Sequence, residues 1–110
     1  MTASSTELPD TGLTSAEKKR LRRIGHNLTP VVTIASKGLT DNVLAEVARA
    51  LNDHELIKIK LSVGDREAKR TISSDLCQQC NAELVQAIGH MILLFKKADR
   101  PDPKLSNLLR

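Results

Sequence analysis

Four short stretches of this chain carry residue types that could do chemistry. Ala35-Ser36-Lys37-Gly38 is a small, polar, basic and glycine corner between an apolar run and a capped segment. Lys18, Lys19, Arg20, Arg22 and Arg23 crowd together. Cys77 and Cys80 form a C-x-x-C, and "HELIK", from His54, opens like a zinc-protease motif. The corner is an anion site in outline. A strand ending at Ala35 and a helix capped by Thr40 would set it at a helix N-terminus, where unpaired N–H groups and the positive dipole end face outward. Lys37 adds a mobile charge, and Gly38 removes the side chain that would hold a phosphate off the backbone. The same small residues also suit an ordinary strand-to-helix turn, so its neighbours must decide.

The catalytic alternatives fare poorly. A zinc site on Cys77 and Cys80 needs two further ligands, and His54 and His90 are scattered singly. A thioredoxin-type pair opens a helix after a strand, whereas these cysteines fall near a helix end. Two reduced cysteines with a structural role are expected. "HELIK" lacks the second histidine and runs into a strand. No nucleophile elbow or Walker loop is present. "GDRE", from Gly64, reads as a turn and helix cap, and His90 as a hairpin residue. The expectation is no enzyme, no metal and no cofactor. A thiol- or metal-dependent activity on the cysteine pair is the minor alternative.

Charge distribution favours a polyanion. The 110 residues carry a net +4, but residues 14–40 hold six cations against Glu17, whereas residues 1–13 carry only Glu7 and Asp10. A basic excess concentrated in one quarter of a chain is an electrostatic footprint. No Trp, no Tyr and Phe95 alone argue against binding by rows of stacking aromatics. The longest apolar run, Met91 to Phe95, is far too short to span a membrane. A soluble, cytoplasmic, monomeric chain is expected.

The elements that must position these residues follow from periodicity. Residues 1–12 are small, polar and aperiodic and read as a disordered tail. Residues 98–110, with two prolines, read as a second tail in which Leu105, Leu108 and Leu109 offer local docking. Between them lies one domain, 13–97. Thr14 and Glu17 have capping-box spacing, and Leu21, Ile24 and Leu28 share one helical side while Lys18, Lys19, Arg22, Arg23 and His26 fan across the other. Gly25 and then Pro30 mark that helix's end. "VVTIA", 31–35, is a buried strand. Thr40 caps a second helix with Val43, Leu44, Val47 and Leu51 inward. "LIKIKLSV" alternates as a strand with one wet face. Gly64-Asp65 leads to a third helix ending near Cys80, and "ELVQAI" and "MILLFK" flank a Gly89-His90 hairpin. The order αβαβαββ calls for a compact α/β domain: a four-stranded mixed sheet, two right-handed parallel crossovers and one antiparallel strand.

Lined up, "HNLTPVVTIASKGLTDNVLAEV", "ALNDHELIKIKLSVGDRE" and "IGHMILLFK" resemble the YhbY family, the bacterial form of the CRM (chloroplast RNA splicing and ribosome maturation) domain, over roughly residues 14–97. The resemblance implies a fold similar to the C-terminal domain of translation initiation factor 3, RNA binding without catalysis, and association with large-ribosomal-subunit precursors. The family's G-x-x-G loop maps onto Ala35, Ser36, Lys37 and Gly38, with alanine replacing the first glycine. Phe95 stands where the family carries a tyrosine.

The expected function is therefore binding of structured ribosomal RNA, in pre-50S ribosome biogenesis. Lys18, Lys19, Arg22, Arg23 and Lys37 would contact phosphates, the backbone N–H groups of Ser36 to Gly38 would support them, and Lys96 and Lys97 would extend the patch. Ribosomal proteins are further candidate partners. The alternative is a protein-interaction module that holds an acidic or ribosomal protein through the same basic patch.

Overall fold

The computed structural model describes residues 13–35, 37–97 and 106–107. The tail expected at 1–12 lies outside the described residues, as do Ser36 and all of the tail expected at 98–110 except Ser106 and Asn107. The elements are α1 (Ser15–Gly25), β1 (Pro30–Ile34), α2 (Asp41–His54), β2 (Leu56–Leu61), α3 (Arg66–Cys80), β3 (Glu83–Ile88) and β4 (Met91–Phe95). This is the αβαβαββ order that periodicity implies.

Each helix begins where its cap dictates. Thr14 Oγ1 accepts from Glu17 N at 3.1 Å while Glu17 Oε1 accepts from Thr14 N at 3.0 Å, so the capping box closes in both directions. Thr40 Oγ1 accepts from Val43 N at 3.2 Å, and Asp65 Oδ1 from Ala68 N at 2.7 Å. Caps of this kind contribute about 1 kcal/mol each. Helix α3 ends on Asn81 in the left-handed region, a conformation asparagine tolerates.

The sheet order is β1-β2-β4-β3. β1 and β2 pair parallel, with Ile34 opposite Leu61. β4 runs antiparallel to both neighbours, with Phe95 opposite Leu56 on one side and Glu83 on the other. β3 thus points the same way as β2 but is not its neighbour. The second crossover steps over the place that the last strand fills.

Period-2 alternation divides the apolar side chains between two cores. Val32, Ile34, Ile57, Ile59, Leu61, Ile92 and Leu94 face α2 and α3, where Val47, Leu51 and Leu76 meet them. Leu56, Val85 and Leu93 face the other way and are covered by Leu21 and Ile24 of α1. The molecule has three layers, with α1 alone on its side of the sheet.

Gly25 is the last residue of α1, as the sequence reading has it. The C-cap at His26 is right-handed, so glycine does not serve there as a left-handed stop. It is needed because α1 lies directly against β4 there: a Cβ on Gly25 would collide with the Leu93 side chain.

The α2–β2 junction is held by the chain's far end. Glu55 has φ of 64°, a conformation that costs a non-glycine residue about 1–2 kcal/mol. Its carboxylate is buried and accepts from Ser106 Oγ at 2.8 Å, and its carbonyl accepts from Lys96 N at 2.9 Å. Asn107 donates its side-chain N–H to Leu56 O at 2.6 Å and its backbone N–H to His54 O at 3.0 Å.

Candidate nucleic-acid interface

Helix α1 holds Leu21 and Gly25 against the sheet, which forces its cations outward. Lys19, Arg20 and Arg23 are exposed, Lys18 and Arg22 half-exposed, and His26 is exposed just past the last turn. Arg22 and Arg23 suit that turn, because cations complement the negative end of the helix dipole. Glu17, the helix's acid, is occupied in the capping box. The remaining charges are alike and close, and their mutual repulsion is the kind a phosphate backbone relieves.

The corner after β1 behaves differently from its sequence outline. Gly38 has φ of 75° and no neighbour within reach of a Cβ, so glycine serves conformation there. Its N–H is not free for an anion: it donates to Ala35 O at 2.9 Å and closes the turn. The expectation that the Gly38 amide supports a phosphate is corrected on that ground. At the mouth of α2, Thr40 Oγ1 occupies Val43 N, and Asp41 brings a negative charge. What the corner offers a polyanion is the exposed Lys37 side chain. Ala35 is unstrained, since among the described non-glycine residues only Glu55 and Asn81 have positive φ.

The sheet separates the sequence-derived site residues into two ends. Lys37 and Gly38 follow the end of β1, where Ile34 pairs with Leu61. Lys96 and Lys97 follow β4, at the end where Phe95 pairs with Leu56. From Leu56 to Leu61 is five residue steps, roughly 17 Å at about 3.3 Å each. Lys96 and Lys97 join the start of α1 instead, lining a hollow of about 370 Å³ with Leu13, Glu17 and Glu83. Phe95 is half-buried against the α1-side core, so its ring is partly engaged in packing.

Between α1 and Lys37 lie two cations that sequence reasoning left out. Lys58 and Lys60 alternate with Ile57 and Ile59, so they share the face of Leu56 and α1. Lys60 is exposed beside Thr33, its partner on β1, and Lys58 is half-exposed opposite Leu93. Helix α1 covers the Leu56 and Val85 end of this face and leaves the Lys60 end open. The signal was the strict Lys-x-Lys alternation, which read as a wet strand face and nothing more.

The cysteines are not poised for chemistry. Both are free thiols on α3. Burial pushes Cys77 up to about 11, with Cys80 and Glu83 adding to it, and burial also raises Cys80 against the opposing influence of Lys96. A raised thiol is a poor nucleophile and a poor metal ligand at neutral pH. Among the described residues no group of three His, Cys, Asp or Glu converges as a metal site. No helix among them is long and apolar enough to cross a membrane.

Comparison with known proteins agrees with this architecture. The CRS1 / YhbY (CRM) domain model matches residues 13–96. The protein called "Probable RNA-binding protein PA4753" of Pseudomonas aeruginosa is 49% identical over 98 residues, covering 89% of this chain and 94% of its own. An RNA-binding protein of Haemophilus influenzae is 42% identical over 89 residues, covering 81% of this chain and 90% of its own. The solution structure of SAV1595 from Staphylococcus aureus superposes with a TM-score of 0.71 at 30% identity, over 80% of this chain and 92% of that one.

Proposed function

We propose that this chain, which belongs to the CRS1 / YhbY (CRM) domain family, binds RNA through the α1 side of its sheet. The observation that carries the reading is the run of cations on that side. Lys18, Lys19, Arg22 and Arg23 stand on α1, Lys58 and Lys60 on the open sheet beside it, and Lys37 at the far corner. The names borne by two relatives, both RNA-binding proteins, support the same class of ligand. Lys96 and Lys97 extend the surface at the start of α1.

Long flexible cations meeting phosphates give affinity and orientation but carry no sequence information. Choice among RNAs then comes from shape: a helix or junction whose phosphates match the spacing from α1 to Lys37. The target is structured ribosomal RNA of the large-subunit precursor, bound in the cytoplasm as an assembly step and not as a reaction.

The test is a charge reversal on α1. A Lys19→Glu, Arg23→Glu variant keeps the capping box and the buried face, so it folds, with the melting temperature lowered by a few degrees at most for the acid placed in the last helical turn. Its affinity for a structured large-subunit RNA fragment, measured by filter binding at fixed salt, should fall at least about tenfold, since each lost phosphate contact also flattens the salt slope by roughly 0.7–0.9. Unchanged affinity would sink the reading. Retained capture of an acidic protein after nuclease treatment, without RNA affinity, would hand the surface to a protein partner.

A further inference from the structure

The face opposite α1 carries a second surface that the RNA reading does not use. Between α3 and the edge strand β3 runs a groove of about 800 Å³. Its floor is apolar: Leu84 and Ala87 of β3 and Ile92 of β4. Leu84 is 41% exposed, one of the few large apolar side chains left open to water. The wall is α3, whose Arg66, Lys69 and Arg70 line the groove at i, i+3 and i+4. Among the described residues none of these three cations is drawn into an ion pair.

The connection between α3 and β3 is only Asn81-Ala82, so the chain reverses tightly. The first turns of α3, with the three cations, therefore flank the Ala87 end of β3, while its last turns flank Leu84. Glu83, the acid among the lining residues, lies at that other end. Charge along the groove is thus polarised.

β3 is also a sheet edge. It contains no proline, so every residue keeps its N–H donor, and an edge of that kind templates another strand. The bulge between Leu84 and Gln86 interrupts the start of the strand and leaves Gln86–Ile88 regular beside the cations.

From these features we infer that the α3–β3 groove takes an extended peptide segment of a partner protein, with apolar and acidic residues alternating, added as a fifth strand on the edge of β3. Backbone hydrogen bonds supply affinity, apolar side chains cover Leu84, Ala87 and Ile92, and the acids meet Arg66, Lys69 and Arg70. Nucleic acid is the weaker fit, because no aromatic lines the groove to stack an unpaired base. The inference stands apart from the RNA reading, since the two surfaces lie on opposite faces of the sheet.

The experiment is a titration of the ¹⁵N-labelled full chain with a short synthetic peptide alternating Val and Glu. The expected result is amide shifts confined to β3 and the facing turns of α3, with slowed hydrogen exchange along β3. A peptide alternating Val and Lys should bind at least about tenfold more weakly, as should the Val–Glu peptide to a Lys69→Glu, Arg70→Glu variant. That variant should keep wild-type RNA affinity, which separates failure here from failure of the RNA reading. Absence of binding, equal binding of both peptides, shifts on the α1 side, or tighter occupation of these same residues by single-stranded RNA would each overturn the inference.

Discussion

Gly25 of α1 and Leu93 of β4 are packed so closely that no methyl group fits between them: a Cβ built on Gly25 would fall onto the δ-methyls of Leu93. Leu93 is itself buried in the α1-side core, so its methyls can make room only by disturbing Leu21, Leu56 and Val85 around it. Gly25→Ala should therefore destabilise the fold by about 1–3 kcal/mol through overpacking. At an unconstrained helical site the same change would instead stabilise by about 0.8–1.0 kcal/mol. Urea denaturation distinguishes the two signs. A cycle with Leu93→Ala should show favourable coupling of roughly 0.5–3 kcal/mol, as neighbours that collide relieve one another when one is trimmed.

Lys58 and Lys60 supply a test of the RNA surface independent of α1. Reversing both to glutamate leaves Ile57, Ile59 and Leu61 in the core and should not alter the melting temperature by more than a few degrees. RNA affinity should drop about tenfold or more, with a shallower salt dependence. Reversing Lys96 and Lys97 should have a smaller effect than reversing Lys60 if the ligand runs toward Lys37, because they sit at the other end of the sheet. Equal effects would mean that the RNA spans both ends of the sheet.

At the corner after β1 the two ends of the tetrapeptide should respond oppositely. Gly38→Ala forces a side chain into φ of 75° and should cost about 1–2 kcal/mol, read from denaturant midpoints. Ala35→Gly, which restores the family's glycine pair, should leave RNA affinity unchanged, because the backbone at 35 needs no glycine. It should lower stability by about 0.4–1 kcal/mol through the freer unfolded chain.

The thiols predict both reactivity and pH behaviour. Cys77 sits at about 11 in the folded chain, above its ordinary 9.0, because burial disfavours the thiolate. Between those values the unfolded thiol loses its proton and the folded one keeps it. Stability should therefore decline as pH rises through that window, the sign for a group that binds more protons when folded. Iodoacetamide at pH 8 should modify native Cys77 slowly and denatured protein quickly, and Cys77→Ala should remove its part of the alkaline decline.

What was legible in the sequence was local. Thr14, Thr40 and Asp65 announced their helices because a cap is a contact between residues three apart. The alternation of Ile57, Lys58, Ile59 and Lys60 set a strand with two unlike faces. Less accessible was anything that depended on which element lies over which. Gly25 does end α1, but the contact with Leu93 that it also permits has no local signature. Gly38's amide is occupied by Ala35 O, a turn bond that composition does not announce. Lys58 and Lys60 belong to a surface only because α1 chose that face and covered half of it. Ser106 and Asn107 reach across 51 residues to Glu55 and Leu56 with no periodic pattern to mark them.

β4 is the last of the four described strands to be made and yet it occupies the middle of the sheet, with Ile92 and Leu94 in one core and Leu93 in the other. During vectorial synthesis, neither layer can be sealed until Met91–Phe95 has left the ribosome, whatever helix has already formed upstream. The nascent chain must therefore wait, open on both sides, for its keystone.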